Sequence, residues 1–321
     1  MPTADAQPDA PLGSLDRGVR LGSGGQGEVF RVRNRPGEVL KLYFRQVTNP
    51  DSLKALVDFP GSLDAADRQA LLRQAAWPLG RVTKHGQVVG FLMKEVPAQF
   101  VGHTTAGPKL RELQYLLYPR KPLWGDIAPL DTNGRIEVAQ AFVALLRILQ
   151  ENSMVIGDIS MRNLLWSPGF PAQICMIDCD SPTRVGRRPV MPHSQTPDWT
   201  DPHMPRTGPD LDTDRYKVAL VVGRILTGTA DVRPGRPLSL RPDLPESIAR
   251  PLRECFDAAA GAHGTRPDAT RWARALSGRE TILLAPPPPV RTPLPPLPMI
   301  DVDRRGPRGT IPLRPHSDSS G

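Results

Sequence analysis

The sequence predicts an α+β chain, with a small antiparallel sheet in its N-terminal part and a mainly helical remainder. Three observations predict it. From Leu21 to about Glu95, apolar residues alternate or run in short stretches broken by turn residues. From about residue 100 onward, apolar residues recur at helical spacing. From about residue 284 the chain turns proline-rich, "APPPPVRTPLPPLPMIDVDRRGPRG", which cannot continue helices or central strands.

Each element follows in order. "GEVFRVRN" and "EVLKLYF" flank residues 34–37 and predict a hairpin. "SLDAADRQALLRQAAW" (62–77) predicts a helix with Ser62 as N-cap. "LGRVTKHGQVVGFLMKEV" (79–96) predicts a second hairpin turning near residues 85–86. Helical spacing returns in 109–117, 134–152, 211–228, 244–259 and 265–278. "NLLW" reads as a strand after residue 162, "SPGFPAQ" as a turn, and "MIDCDS" as the end of another strand.

Composition narrows the class. The chain has 321 residues, of which 39% are hydrophobic, enough to bury a core. Its net charge is +8, but the arginines are scattered, with no long basic run and no interleaved aromatics. A solvated surface is expected, and no nucleic-acid partner. Three cysteines without CxxC spacing argue against a disulfide framework or a zinc site and suit a reducing compartment. The polar N-terminus has no secretory pattern, and no apolar run reaches the ~18 residues of a membrane span. A cytoplasmic chain with no membrane partner is the expectation.

Three stretches carry chemistry. "LGSGGQGEVF" (21–30) places Gly22, Gly24 and Gly27 as G-x-G-x-x-G, followed by Val29. Glycine lets backbone N–H groups approach a phosphate, because no Cβ intervenes. The flanks are strands on both sides, which departs from the strand–helix context of a dinucleotide fold; a Gly-rich hairpin without ligand is the plain alternative. Lys41 stands 12 residues after Val29 inside an apolar strand, where its amine needs a partner or an exposed edge. Asp158 and Asn163 stand at D-x-x-x-x-N spacing after the apolar helix 134–152, and Asp178 follows 15 residues after Asn163. Asn163 and Asp178 can hold Mg²⁺ or Mn²⁺, and Asp158 can accept a proton from an attacking hydroxyl.

Taken together, in order and spacing, these stretches resemble the protein kinase-like superfamily over roughly residues 15–278. "LGSGGQGEVF" resembles the glycine loop, "VLK" the strand lysine, "FLMKEVP" the last strand and hinge, "IGDISMRNLL" the catalytic loop and "IDCD" the metal-binding Asp-Phe-Gly. "TDRYKVALVVGRILTG" resembles the helix opened by a buried Asp, here Asp214, and "TRPDATRW" the last helical region with Arg266. "VIGDIS", "IDCDSP" and "AAWPLG" resemble more narrowly a bacterial group of kinase-like proteins. Some members of that group carry a helix-hairpin-helix segment, and none is recognised here.

The resemblance implies a two-lobed fold, with an N-lobe over about 15–95 and a C-lobe over about 98–278; residues 1–14 and the proline-rich tail over 279–321 are read from the sequence itself as disordered. It implies ATP as phosphoryl donor and transfer to Ser/Thr hydroxyls of a protein, autophosphorylation included. The nucleotide would contact Gly22, Ser23, Gly24, Gly25, Gly27, Val29 and Lys41, with Met93 as gatekeeper and Glu95 and Val96 as hinge. Lys41, Asp158 and Asn163 would be catalytic; Asn163 and Asp178 would hold the metal.

The chain also departs from the family pattern. Gly157 replaces the catalytic-loop Arg, which argues against activation through that Arg. Ser160 replaces a Lys that neutralises phosphate charge; Arg162 either substitutes or faces solvent. Asp180 replaces the Gly of Asp-Phe-Gly, either adding a metal contact or, the favoured reading, capping the turn. No glutamate is placed to pair with Lys41; Asp67 is the first candidate, then Asp64 and Asp58, each of them also readable as a surface acid. The Ala-Pro-Glu landmark falls on Asp201-Pro202-His203, so an ion pair with Arg266 must use Asp201 or be missing. Thr183, Ser194, Thr196 and Thr200 are either phosphosites or ordinary loop hydroxyls, Cys179 is either redox-sensitive or a small packing residue, and "RTPLPPLP" (291–298) is either a polyproline ligand or a linker. Two other functions fit the same residues: a nucleotide-binding scaffold without turnover, and a different transfer, to a small molecule or of a nucleotidyl group.

Overall fold

The structure, a computed structural model, describes residues 9–192 and 196–278. All lie within one unit, Met1–Glu280. The tail, its polyproline stretch and Ser194 lie outside the described residues.

Among the described residues the chain is a mixed α+β fold. β1 (Ala10–Pro11), β2 (Arg17–Ser23), β3 (Gly27–Val32), β4 (Glu38–Tyr43), β5 (Pro78–Lys84) and β6 (Gln87–Lys94) form one sheet in the order β1-β5-β6-β4-β3-β2. Both predicted hairpins are present, as β3–β4 and β5–β6. The second turns through His85 and Gly86, both at positive φ (50° and 75°), the backbone twist that two-residue hairpins favour.

The start of the folded region differs from expectation. Ala10–Pro11 pair in parallel with Val82 and Thr83, and Arg81 grips Asp9 at 2.7 Å. Residues 9–14 are therefore ordered, because β1 covers the edge of β5 and Ala10 and Leu15 bury against Val82.

Between β4 and β5 lie α1 (Pro50–Asp58) and α2 (Ala65–Gln74). α1 was not expected. Pro50 at its first turn and the buried pair Leu53 and Leu56 explain it. α2 is shorter than the predicted 62–77, and its N-cap is Asp64, not Ser62: the Asp64 carboxylate accepts the Asp67 N–H at 2.8 Å. Ser62 instead closes the preceding 3₁₀ turn by donating to Phe59 O.

The expected helix 109–117 is mostly absent. β7 (Val101–Thr104) and β8 (Gly107–Leu110) form a separate hairpin, and only α3 (Gln114–Leu117) is helical. Gly107, at φ 105°, turns that hairpin. The helices after it were expected: α4 (Thr132–Glu151), then α5 (Leu211–Thr227), α6 (Glu246–Ala258) and α7 (Ala269–Ser277). Asp131, Asp210 and Asp268 cap α4, α5 and α7 by accepting N–H groups at 2.8 Å. Between α4 and α5 run two short ladders: β9 (Met154–Val155) with β12 (Thr183–Arg184), and β10 (Leu164–Ser167) with β11 (Gln173–Met176). None of the described helices is long and apolar enough to cross a membrane.

The main core packs α4 (Phe142, Leu146) against α5 (Leu220, Val221) and α7 (Trp272), and extends to the inner face of the sheet through Val39, Phe91 and Met93. Period-two alternation decides which residues of β4 face it. Val39, Lys41 and Tyr43 share that inner face, whereas Leu40 and Leu42 join Val32, Val82 and Leu92 on the other. Cross-strand register then sets Val29, Lys41 and Phe91 side by side on three strands.

Gly27 belongs to this packing. A Cβ there would sit 2.2 Å from Leu42 O. Gly27→Ala is expected to lower stability by about 1–3 kcal/mol, the usual cost of overpacking, read as a lower urea midpoint. Gly24→Ala is expected to leave that midpoint unchanged, since no atom lies within 4 Å of its would-be Cβ.

Candidate active site

The sheet alternation places Lys41 inward, where 5% of the residue remains exposed. A buried ammonium needs charge partners. Lys41 Nζ lies 2.7 Å from Asp180 Oδ1 and 3.3 Å from Asp178 Oδ1. Tyr43, two residues along the same face, donates its hydroxyl to Asp180 Oδ2 at 2.8 Å. Burial lowers the Lys41 pKa, but Asp180 and then Asp178 outweigh it, and the net shift is upward. The amine is therefore charged at neutral pH. Burial, followed by Asp180, likewise holds Tyr43 protonated.

These contacts correct two expectations. None of Asp67, Asp64 and Asp58 pairs with Lys41. Asp58 pairs with Lys54 on its own helix at 2.7 Å, and Asp64 caps α2. Nor is Asp180 placed as a turn cap: its side chain is 1% exposed, and its two oxygens accept from Lys41 and Tyr43.

Asp178 is delivered to Lys41 by β11. Ala76, between α2 and β5, donates its N–H to Met176 O at 2.8 Å, which docks the end of β11 beside the sheet. Asp178 then adopts φ 56°, a left-handed turn that Asp tolerates better than most residues. Its carboxylate remains 49% exposed. Cys179 between the two acids is fully buried and donates Sγ–H to Met176 O; burial pushes its thiol far above the ordinary range. It is a packing residue, since only an accessible thiolate reacts.

Asn163 joins this loop through its backbone, its O accepting the Ile177 N–H at 2.9 Å. Its side-chain amide donates to Asp158 O at 2.9 Å and to Asp158 Oδ2 at 3.0 Å, leaving Oδ1 as its acceptor atom. Asp158 Oδ1 accepts the Thr196 hydroxyl at 3.1 Å. Asp158 and Asn163 are thus locked to each other and tied to the residue preceding Asp178.

The Asp158 loop is anchored from below by α5. Asp214, fully buried, accepts the Ile156 and Gly157 N–H groups at 2.6 and 3.0 Å, and Lys217 donates to Gly157 O. Gly157 stands at φ 75°, which explains a glycine at this position. Burial is the dominant influence on the Asp214 carboxyl and raises it from 3.8 to about 6. The folded chain therefore binds this proton more tightly than the unfolded chain. The group's contribution to stability improves as pH falls from about 6 to 3.8 and is least favourable above 6. A carboxyl-carbon NMR titration is expected to place Asp214 near 6.

The remaining predicted residues divide. Gly22, Ser23, Gly24, Gly25 and Gly27 lie in or between β2 and β3, and Val29 sits beside Lys41. A Cβ at Gly22, Gly24 or Gly25 would meet no atom within 4 Å, and none of the three has positive φ. The fold itself does not require glycine there. Met93 is buried on the inner face. Glu95 pairs with Arg31 and donates its N–H to Gly37 O at 2.9 Å, while the Val96 N–H meets no acceptor among the described residues. Ser160 is buried and Arg162 is exposed. Arg266 does pair with Asp201, by a buried two-pronged contact with the second prong at 2.9 Å, and lies 3.2 Å from Asp212.

Sequence reasoning missed Tyr43 and Lys217. Both were legible in spacing: Tyr43 is two residues after Lys41 on one strand, and Lys217 is three after Asp214 on one helix. Neither protein-family models nor curated proteins give a match to this chain.

The residues fit a magnesium–nucleotide pair chemically. Asp178 offers a half-exposed carboxylate and Asn163 an amide oxygen, the hard donors that Mg²⁺ prefers. Lys41 offers a charged amine 3.3 Å from Asp178, and Gly22, Gly24 and Gly25 leave the backbone open to close approach.

Proposed function

We propose that the chain is an ATP-dependent protein kinase with a two-lobed kinase-like fold, transferring the γ-phosphoryl group to Ser or Thr hydroxyls. The observation that carries this reading is the joining of Lys41–Asp178 to Asn163–Asp158 through the Ile177–Asn163 backbone bond. Phosphoryl transfer requires little beyond positioning and charge neutralisation, so this set is chemically sufficient.

The roles are those that the resemblance to the kinase-like superfamily implies. Lys41, held charged on the inner face, neutralises phosphate oxygens of the nucleotide. The backbone of Gly22, Ser23, Gly24 and Gly25 covers those phosphates, and Val29 and Met93 bound the base, with the Glu95–Val96 backbone at its edge. Asp178 and Asn163 Oδ1 would hold Mg²⁺ or Mn²⁺, which when bound offsets the phosphate charge. Asp158 accepts the proton of the incoming hydroxyl. Asn163, by donating to both Asp158 and its carbonyl, fixes the orientation of that carboxylate. Thr196 already presents a hydroxyl to Asp158 Oδ1, the contact that an acceptor hydroxyl needs. A cytoplasmic location is part of this proposal.

The test is incubation of the full chain with γ-labelled ATP and Mg²⁺ or Mn²⁺, with and without a generic Ser/Thr protein substrate, followed by mass spectrometry. The reading expects an 80-Da phosphoryl addition on Ser or Thr (the mass of HPO₃) in the chain itself or in the substrate. Label confined to a small molecule, a nucleotidyl addition, or no transfer under any condition overturns it.

A further inference from the structure

We propose that Asp180 is the residue that positions Lys41 for nucleotide, with Tyr43 as its brace, so that the lysine's ionic partner comes from the same loop as the proposed metal ligand Asp178. This rests on the reading of Lys41 as a phosphate-binding residue.

The geometry is specific. Asp180 is the closer of the two acids, at 2.7 Å against 3.3 Å for Asp178. Its side chain is 1% exposed, whereas that of Asp178 is 49% exposed. A carboxylate so buried is kept only where its charge is matched. Its two oxygens are matched separately, Oδ1 by the ammonium and Oδ2 by the Tyr43 hydroxyl. Tyr43 and Lys41 project from one face of β4, so Asp180 is gripped by two rungs of a single strand. The ring of Phe91 closes the site from β6, its centroid 5.8 Å from Nζ.

The division of labour follows. Asp178, exposed, is free to turn toward a cation, and Lys41 keeps its orientation because Asp180 does not move with it. The helices α1 and α2 contribute no acid to this amine. Ordering of Lys41 is thereby tied to the loop after β11 and is independent of any helix displacement.

The test is a double-mutant cycle on the full chain, read by titration with a fluorescent ATP analogue in Mg²⁺. Asp180→Asn keeps the shape and the Tyr43 contact but removes the charge. It is expected to weaken binding about tenfold, the scale of one charge-assisted hydrogen bond. Lys41→Met is expected to weaken it by at least as much. The double variant Lys41→Met/Asp180→Asn is expected to bind within twofold of Lys41→Met alone, since Asp180 acts only through the amine. A purely structural role would instead multiply the two losses, and that result overturns the proposal, as does wild-type binding by Asp180→Asn. Should Asp180→Asn fail to fold, Tyr43→Phe replaces it in the cycle, with a smaller loss expected that again vanishes on Lys41→Met. Failure of the wild-type chain to bind the analogue overturns the phosphate-binding reading and this proposal together, whereas binding indifferent to Asp180 and Tyr43 overturns this proposal alone.

Discussion

Asp178→Asn is expected to lower phosphoryl transfer by about 10²–10³-fold while leaving the urea midpoint nearly unchanged. The size of the loss is that of removing one preorganised charge-stabilising group from a transition state. The small stability effect has its own reason. Asp178 stands at φ 56°, and Asn occupies that left-handed region as readily as Asp does. Its carboxylate is half exposed, so losing the charge strands nothing in the interior. Lys41 retains Asp180 at 2.7 Å and stays neutralised. Transfer rates with Mg²⁺ and with Mn²⁺, beside a urea melt, check both halves. A rate within threefold of wild type would remove Asp178 from the proposed metal site.

Arg266→Ala carries the largest expected stability loss, about 3–5 kcal/mol, the scale for removing one partner of a buried ion pair. The side chains of Arg266 and Asp201 are both 0% exposed. The guanidinium also donates to the Asp212 carbonyl, lies 3.2 Å from the Asp212 carboxylate and stacks over Tyr216 at 5.1 Å. Truncation leaves two acids in the interior with one cation fewer. Lysine is expected to rescue only part of the loss, because a single ammonium cannot reproduce the two-pronged contact. Calorimetric or urea unfolding of both variants decides this. The same contact holds Asp201, within the segment leading from Asp180 to α5, so Arg266→Ala is also expected to make that segment more sensitive to protease.

The fold was legible where a single period dominates. The strands of hairpins β3–β4 and β5–β6 alternate or run apolar between clear turn residues, and α4 and α5 are long apolar-striped helices with acidic caps, so their bounds came within two residues. Short elements were not legible. Lys109 and Leu110 carry helical spacing toward Leu113 and Leu116, yet Gly107 and Pro108 turn them into a hairpin that local chemistry favours over a four-residue periodicity. α1 announced itself only through Pro50 and one apolar pair.

In the site, Lys41, Asp158, Asn163 and Asp178 were each recognisable by type and spacing, whereas the Asp201–Arg266 pair was one of two outcomes that the resemblance to the kinase-like family implied. The partner of Lys41 was not. The family resemblance implied an acid on the helix after β4, and sequence distance says nothing about a loop 139 residues away that folds back to the sheet. The fold-back depends on Asp178 adopting positive φ, and on Ala76 pairing with Met176; neither leaves a mark in residue type. The readable clue was Tyr43, since a buried charge with a hydroxyl two residues along the same strand face calls for one acid between them.

The most direct measurement is a crystal structure of the full chain with a non-hydrolysable ATP analogue and Mg²⁺. The triphosphate is expected under Gly22–Gly25, with Lys41 Nζ within hydrogen-bond reach of a phosphate oxygen and the metal bound by Asp178 and Asn163 Oδ1 at about 2.0–2.1 Å. A nucleotide seated elsewhere, or a metal held without either residue, would contradict it.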